Sequence, residues 1–158
     1  MTNIHERMYL DAPYAQAQGA LERRLGLWLG RGDCTLTLVA PVNGREVART
    51  VTAHAEQIPG TANYTVAYFV RWKAGDTPSG IPTPGFAGTL TLSAGEDYNE
   101  CSLRLDGAYE PPGGLPGALF DELVGRRIAH STLTGLLEGV AQELHREHTL
   151  VEAAKHAR

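Results

Sequence analysis

The stretch from Tyr109 to His148, YEPPGGLPGALFDELVGRRIAHSTLTGLLEGVAQELHREH, limits most strongly what this chain can fold into. It reads as a strand end, a Pro/Gly elbow and one helix longer than any other element in the sequence. On a helical wheel Leu119, Leu123, Leu133, Leu137, Val140, Ala141 and Leu144 fall in one apolar band. Arg126 and His130 fall inside the same band, one turn apart, so the space that receives this face has to accommodate a cation and an imidazole.

The rest of the chain has to supply the surface that covers the helix. Ile4 to Leu10 alternates as a first strand, with Ile4, Met8 and Leu10 on one side. Asp11-Ala-Pro opens a helix whose stripe is Ala17, Leu21, Leu25, Trp28 and Leu29. Gly26 and Gly30 predict a bend near its end, and Trp28 is expected to plug that end against the sheet. The period then changes from 3.6 to 2. Cys34, Leu36, Leu38 and Ala40 alternate up to the turn Pro41-Val-Asn-Gly, and Glu46 to Glu56 is the partner strand.

Asn63 to Lys73 is the most strand-like run, with Tyr64, Val66, Tyr68, Val70 and Trp72 on one face. Residues 74–85, AGDTPSGIPTPG, read as a loop. Phe86 to Ala94 and Cys101 to Glu110 form a last hairpin, with Cys101, Leu103, Leu105, Gly107 and Tyr109 sharing a face. The order is strand, helix, five antiparallel strands and a long helix. An antiparallel sheet with one apolar face must cover it, and only the C-terminal helix is long enough. The expectation is an α+β fold in which a curved antiparallel sheet wraps around that helix.

The 158 residues fit a single domain spanning 1–158. With 42% hydrophobic and 20% charged residues, the composition is that of an ordinary globular protein. A net charge of −4 and dispersed basic residues argue against nucleic acid as a partner. No apolar run is long enough for a membrane span, and MTNIHERMYLDAP lacks the order of a signal peptide, so a cytoplasmic location is expected. Cys34 and Cys101 sit in apolar strand patterns and read as buried thiols. His54 and Glu56 share an outward strand face without a third ligand, and His145 and His148 near the helix end lack a metal motif. The sequence therefore implies no metal and no cofactor.

Candidate ligand contacts come from the inward faces. Arg126 could hold a carboxylate or phenolate in a bidentate contact, or could pair with Glu110 or Asp106 instead. His130 could donate a hydrogen bond, act as a base, or be a satisfied core imidazole. Tyr64, Tyr68, Trp72 and Tyr109 offer rings with polar handles, and Leu133 and Leu137 offer apolar walls. On the other side of the long helix, Gly125, Ile128, Thr132, Gly135 and Gly139 point away from the stripe. Interior glycines weaken a helix, so this face is expected to meet another backbone, either a second copy in a homodimer or another element.

The element order, with Tyr109–Gly114 leading into Gly125–Ala129 and weaker support from Leu27–Trp28–Leu29, resembles bacterial members of the START/Bet v1-like (SRPBCC) superfamily, of the polyketide cyclase or lipid-binding kind. The resemblance implies a helix-grip fold with a hydrophobic cavity between sheet and C-terminal helix. Members bind lipids, sterols, polyketides, hormones or quinones, and a minority catalyse cyclisation or hydration. Two departures stand out: Pro41-Val-Asn-Gly-Arg replaces the Gly-rich loop of the plant allergen branch, and six strands are read instead of seven. The function implied is binding or transport of a hydrophobic small molecule. A cyclase or dehydratase with His130 as acid/base and Arg126 or a tyrosine steadying an enolate is the alternative. A third reading is an interaction protein whose cavity has collapsed. No residue is assigned as catalytic.

Overall fold

The computed structural model describes residues 2–42, 45–73, 85–110 and 122–156. The chain runs β1 (Thr2–Leu10), α1 (Tyr14–Arg24), β2 (Leu27–Trp28), β3 (Arg31–Val42), β4 (Arg45–Ile58), β5 (Thr65–Trp72), β6 (Gly85–Ala94), β7 (Cys101–Glu110) and α2 (Glu122–His156). The strands form one sheet in the order β1-β7-β6-β5-β4-β3-β2, and every neighbouring pair is antiparallel. The Asn43-Gly44 turn, most of the 74–85 loop and the elbow with Leu119 lie outside the described residues.

The seventh strand is β2, whose two residues are too few for a period of two to register. Its geometry comes from three left-handed residues, Gly26 (φ 64°), Leu29 (φ 53°) and Gly30 (φ 83°). Leu29 and Gly30 make the two-residue loop that pairs Trp28 with Arg31 and Leu27 with Gly32. A Cβ on Gly32 would lie 2.3 Å from the Gly26 carbonyl oxygen, so glycine there permits the close backbone approach. The hairpin turns Trp28 outward, where it is 82% exposed instead of plugging α1 against the sheet.

Strand parity holds on the inner face: Val66, Tyr68, Val70, Trp72, Leu90, Leu92, Leu103, Leu105 and Tyr109 are all buried. Tyr64 departs from it. The strand starts at Thr65, two residues later than the alternation suggests, and Tyr64 sits in the preceding turn with φ 58° and 71% exposure.

The long helix is also rotated by about a quarter turn from its hydropathy band. Leu133, Leu137 and Val140 are buried as expected, but so are Ile128, Ala129, Thr132, Leu136 and Gly139. Arg126, His130 and Ala141 are exposed. The cause is packing on three sides, because α2 meets β1, β3 and α1 together. Small residues at 129, 132 and 139 let those neighbours come close, and a hydropathy scale gives such residues little weight. The face expected to meet another backbone is thus closed mainly by this chain's own α1 and β3, which removes the reason to invoke a homodimer through Ile128, Thr132 and Gly139. Gly135 stays exposed, with open space around its Cα. Arg23 of α1 ties the pair of helices together through Glu143 at 3.2 Å and Glu147.

Candidate functional site

The way α2 sits on the sheet defines the site. Its backbone comes close to β1 and β3, near the two opposite edges, and touches β7 lightly, while it stands off the central strands β4, β5 and β6. A helix can approach both sides of a sheet and miss its middle only if the sheet curls around it. Large buried side chains of the central strands lie on this side, and α1 approaches β6 there as well.

Trp72, Phe86 and Tyr109 lie directly opposite one another across β5, β6 and β7 and form an aromatic row at one end of that space. The indole stacks on Phe86 at 4.7 Å between centroids, and Phe86 meets Tyr109 at 5.0 Å. The next inward row contains the paired glycines Gly88 and Gly107. A Cβ on either would lie 2.6 Å from Phe86 Cζ, so the phenyl ring leans into the room these glycines leave. Leu133, Leu136 and Leu137 of α2 belong to the same core.

Two tyrosines bring polar atoms into this apolar setting. Tyr109 is fully buried, its hydroxyl faces Thr132 of α2, and burial pushes its phenol well above the ordinary range. Thr132 in turn donates to the Ile128 carbonyl at 2.8 Å. On the α1 side, Tyr68 donates to Glu22 Oε1 at 2.8 Å, and Gln18 Nε2 donates to the same oxygen at 3.2 Å. Burial and then the Glu22 carboxylate raise the Tyr68 phenol. The Tyr14 phenol is also raised, by burial first and Glu22 second. Both inner-face tyrosines therefore keep their protons at neutral pH, and Tyr68 uses its own as a donor to Glu22.

Of the candidates read from the sequence, Tyr68, Trp72, Tyr109, Leu133 and Leu137 are buried on the gripping side. Tyr64, Arg126 and His130 are not. Arg126 lies exposed in the first turns of α2, and His130 is 61% exposed by its side chain and reaches Glu6 of β1 at 3.4 Å. Glu22, Gln18, Thr132 and Phe86 were missed. A signal for the first two was present, since Gln18 and Glu22 are spaced i,i+4 on α1 and point the same way. Nothing in the sequence joins Tyr109 to Thr132 before α2 is placed.

Among the described residues no group of three or more His, Cys, Asp or Glu side chains is arranged to hold a metal ion, and Cys34 and Cys101 are buried free thiols. No described helix is long and apolar enough to cross a membrane.

No protein-family model matches the chain, and no curated protein does either. Solved structures do match in fold. TTHA0849 from Thermus thermophilus is 17% identical with a TM-score of 0.52, covering 89% of this chain and 98% of its own. A STAR-related lipid transfer protein from Xanthomonas axonopodis is 15% identical with a TM-score of 0.52, over 88% of this chain and 85% of that one. Human STARD10 is 12% identical with a TM-score of 0.54, over 96% and 68%. The chain has the START-type helix-grip fold: a curved seven-strand antiparallel sheet closed on a long C-terminal helix.

Proposed function

We propose that the chain binds an apolar small molecule between the sheet and α2. The observation that carries this reading is the stand-off of α2 from the central strands, whose buried side chains Tyr68, Trp72, Phe86 and Leu90 lie on the side facing it. Trp72, Tyr109, Leu133 and Leu137 are the proposed ligand contacts, with Tyr68 at the α1 end. A ligand entering there displaces or rearranges the aromatic row and meets the Tyr109 and Thr132 hydroxyls as its polar anchors. Apart from the tyrosine hydroxyls, Thr132 is the one polar side chain buried among the residues whose burial is described, and none of these groups is charged, so the interior favours a neutral ligand over a charged one. That chemistry suits a lipid-like or polycyclic molecule, and one of the fold's solved examples is a lipid transfer protein by name. All six histidines are exposed, so no imidazole faces this interior as an acid/base.

Native mass spectrometry of protein purified from its own host tests the reading. The expected result is a stoichiometric apolar molecule that leaves on denaturation. A bare mass, together with no gain in melting temperature across a panel of lipids and polycyclic aromatics, rejects it.

A further inference from the structure

We propose a second binding site on the opposite, outer face of the sheet, for a planar aromatic carboxylate. The β2–β3 hairpin and strands β4 to β6 bound an open trough of about 860 Å³ there. This lies within the roughly 300–1,000 Å³ typical of small-molecule sites.

Its floor consists of two cross-strand rows. Arg31, Glu56 and Phe69 are directly opposite one another in one, and Asp33, His54, Arg71 and Ala87 in the other. Most of these charges are already engaged. His54 Nδ1 contacts Asp33 Oδ1, and Arg31 Nε pairs with Glu56 at 3.4 Å. Arg71 is different. It is exposed, its row neighbours are His54 on one side and Ala87 on the other, and it makes no hydrogen bond or ion pair with any described residue. The trough thus presents one guanidinium uncommitted among the described residues, whose planar fork matches a carboxylate.

Two exposed rings supply the aromatic half of the recognition. Phe69, two residues before Arg71 on the same outward face, is 57% exposed. Trp28 stands at the hairpin and lines the same trough. What presents the indole is a loop with Leu29 held in the left-handed region, a conformation that disfavours a leucine. A flat ring can lie against these two apolar surfaces while its carboxylate takes Arg71. The site is separate from the interior one, because the sheet stands between them and Trp72 faces the other way.

The test uses the full-length ¹⁵N-labelled protein and naphthalene-2-carboxylate, with the indole N–H signals of Trp28 and Trp72 as reporters of the outer and inner faces. The expected result is a saturable shift of Trp28 with Trp72 unmoved. Arg71→Gln is expected to weaken binding about tenfold or more, the usual scale for losing a charged hydrogen bond. Naphthalene-2-carboxamide should bind weakly and be indifferent to that substitution. Because Arg71 is exposed, an unchanged melting temperature confirms that the variant folds. Absence of saturable binding, a shift at Trp72 without one at Trp28, or equal affinity in Arg71→Gln overturns the proposal. The Trp72 signal reports on the interior site separately, so failure of one site is not mistaken for failure of the other.

Discussion

Phe86 occupies the side-chain space of Gly107: a Cβ added at Gly107 would lie 2.6 Å from the phenyl Cζ and 2.6 Å from the Ala87 carbonyl oxygen. The ring could swing away, but the carbonyl is backbone in the adjacent strand and cannot move without breaking the β6–β7 register. Gly107→Ala is therefore expected to destabilise the protein by about 2–3 kcal/mol, as overpacking in a rigid site does. Urea denaturation gives the loss, and a changed near-ultraviolet circular dichroism spectrum shows that the aromatic row has shifted. Unchanged stability would mean that the two strands are not this close.

Stability should also fall at alkaline pH. Burial pushes Cys34 up to about 11 and raises the Tyr68 and Tyr109 phenols above their ordinary range. In the unfolded chain these groups ionise at about pH 8.5 for the thiol and about pH 10 for the phenols, while the folded protein keeps their protons. Above those values the unfolded state binds fewer protons than the native state, so raising the pH favours unfolding. The stabilising effect is complete at neutral pH and is lost progressively above about pH 9–10, at roughly 1.4 kcal/mol per pH unit for each group while it titrates only in the unfolded chain. Denaturation midpoints at a series of pH values measure the slope. Tyr68→Phe should make it shallower above pH 10, and should itself cost about 1–2 kcal/mol through the lost bond to Glu22.

Two glycines of α2 separate helix propensity from packing. Gly135 has nothing within 4 Å of its Cβ position, so Gly135→Ala should stabilise the protein by about 0.5–1 kcal/mol. At Gly139 the same change places a methyl group 2.5 Å from Arg24 Nε and forces that side chain to move. Its gain should be smaller than that at Gly135. Thermal or urea unfolding of the two variants side by side provides the comparison, and equal gains would show that Arg24 does not rest on the helix.

The two tryptophans should give separable fluorescence. Trp28 is exposed, while Trp72 is buried against Phe86. Trp28→Phe is expected to leave a blue-shifted emission that acrylamide quenches poorly, and the remaining signal then reports on the gripping side alone. Strong quenching in that variant would place Trp72 at the surface.

Much of the fold was legible because strands β5, β6 and β7 largely alternate, and such alternation fixes which face is buried. The inward set that contains Tyr68, Trp72 and Tyr109 followed from it. Two kinds of information were not available in the residues. The helix orientation depends on Ala129, Thr132 and Gly139, whose importance is that they are small where β3 and Arg24 approach; hydropathy favoured the leucines instead and drew Arg126 and His130 inward with them. Trp28 and Tyr64 were misplaced by backbone geometry. Trp28 rides on a two-residue hairpin, and Tyr64 sits in a left-handed turn, so neither obeys the parity of the strand beside it.

The strand order also bears on how the chain can assemble. β1 pairs with β7 along its full length, Thr2 with Tyr109 through Leu10 with Cys101. β1 is therefore made well before its partner β7 and has to wait for it, while β3 to β6 can zip by successive hairpins. Until β7 is made, the pairing edge of β1 and the outer edge of β6 both remain open. Pairings so distant in sequence are slow to form, so the N-terminal strand is the natural place for nascent or heat-stressed molecules to exchange partners or aggregate.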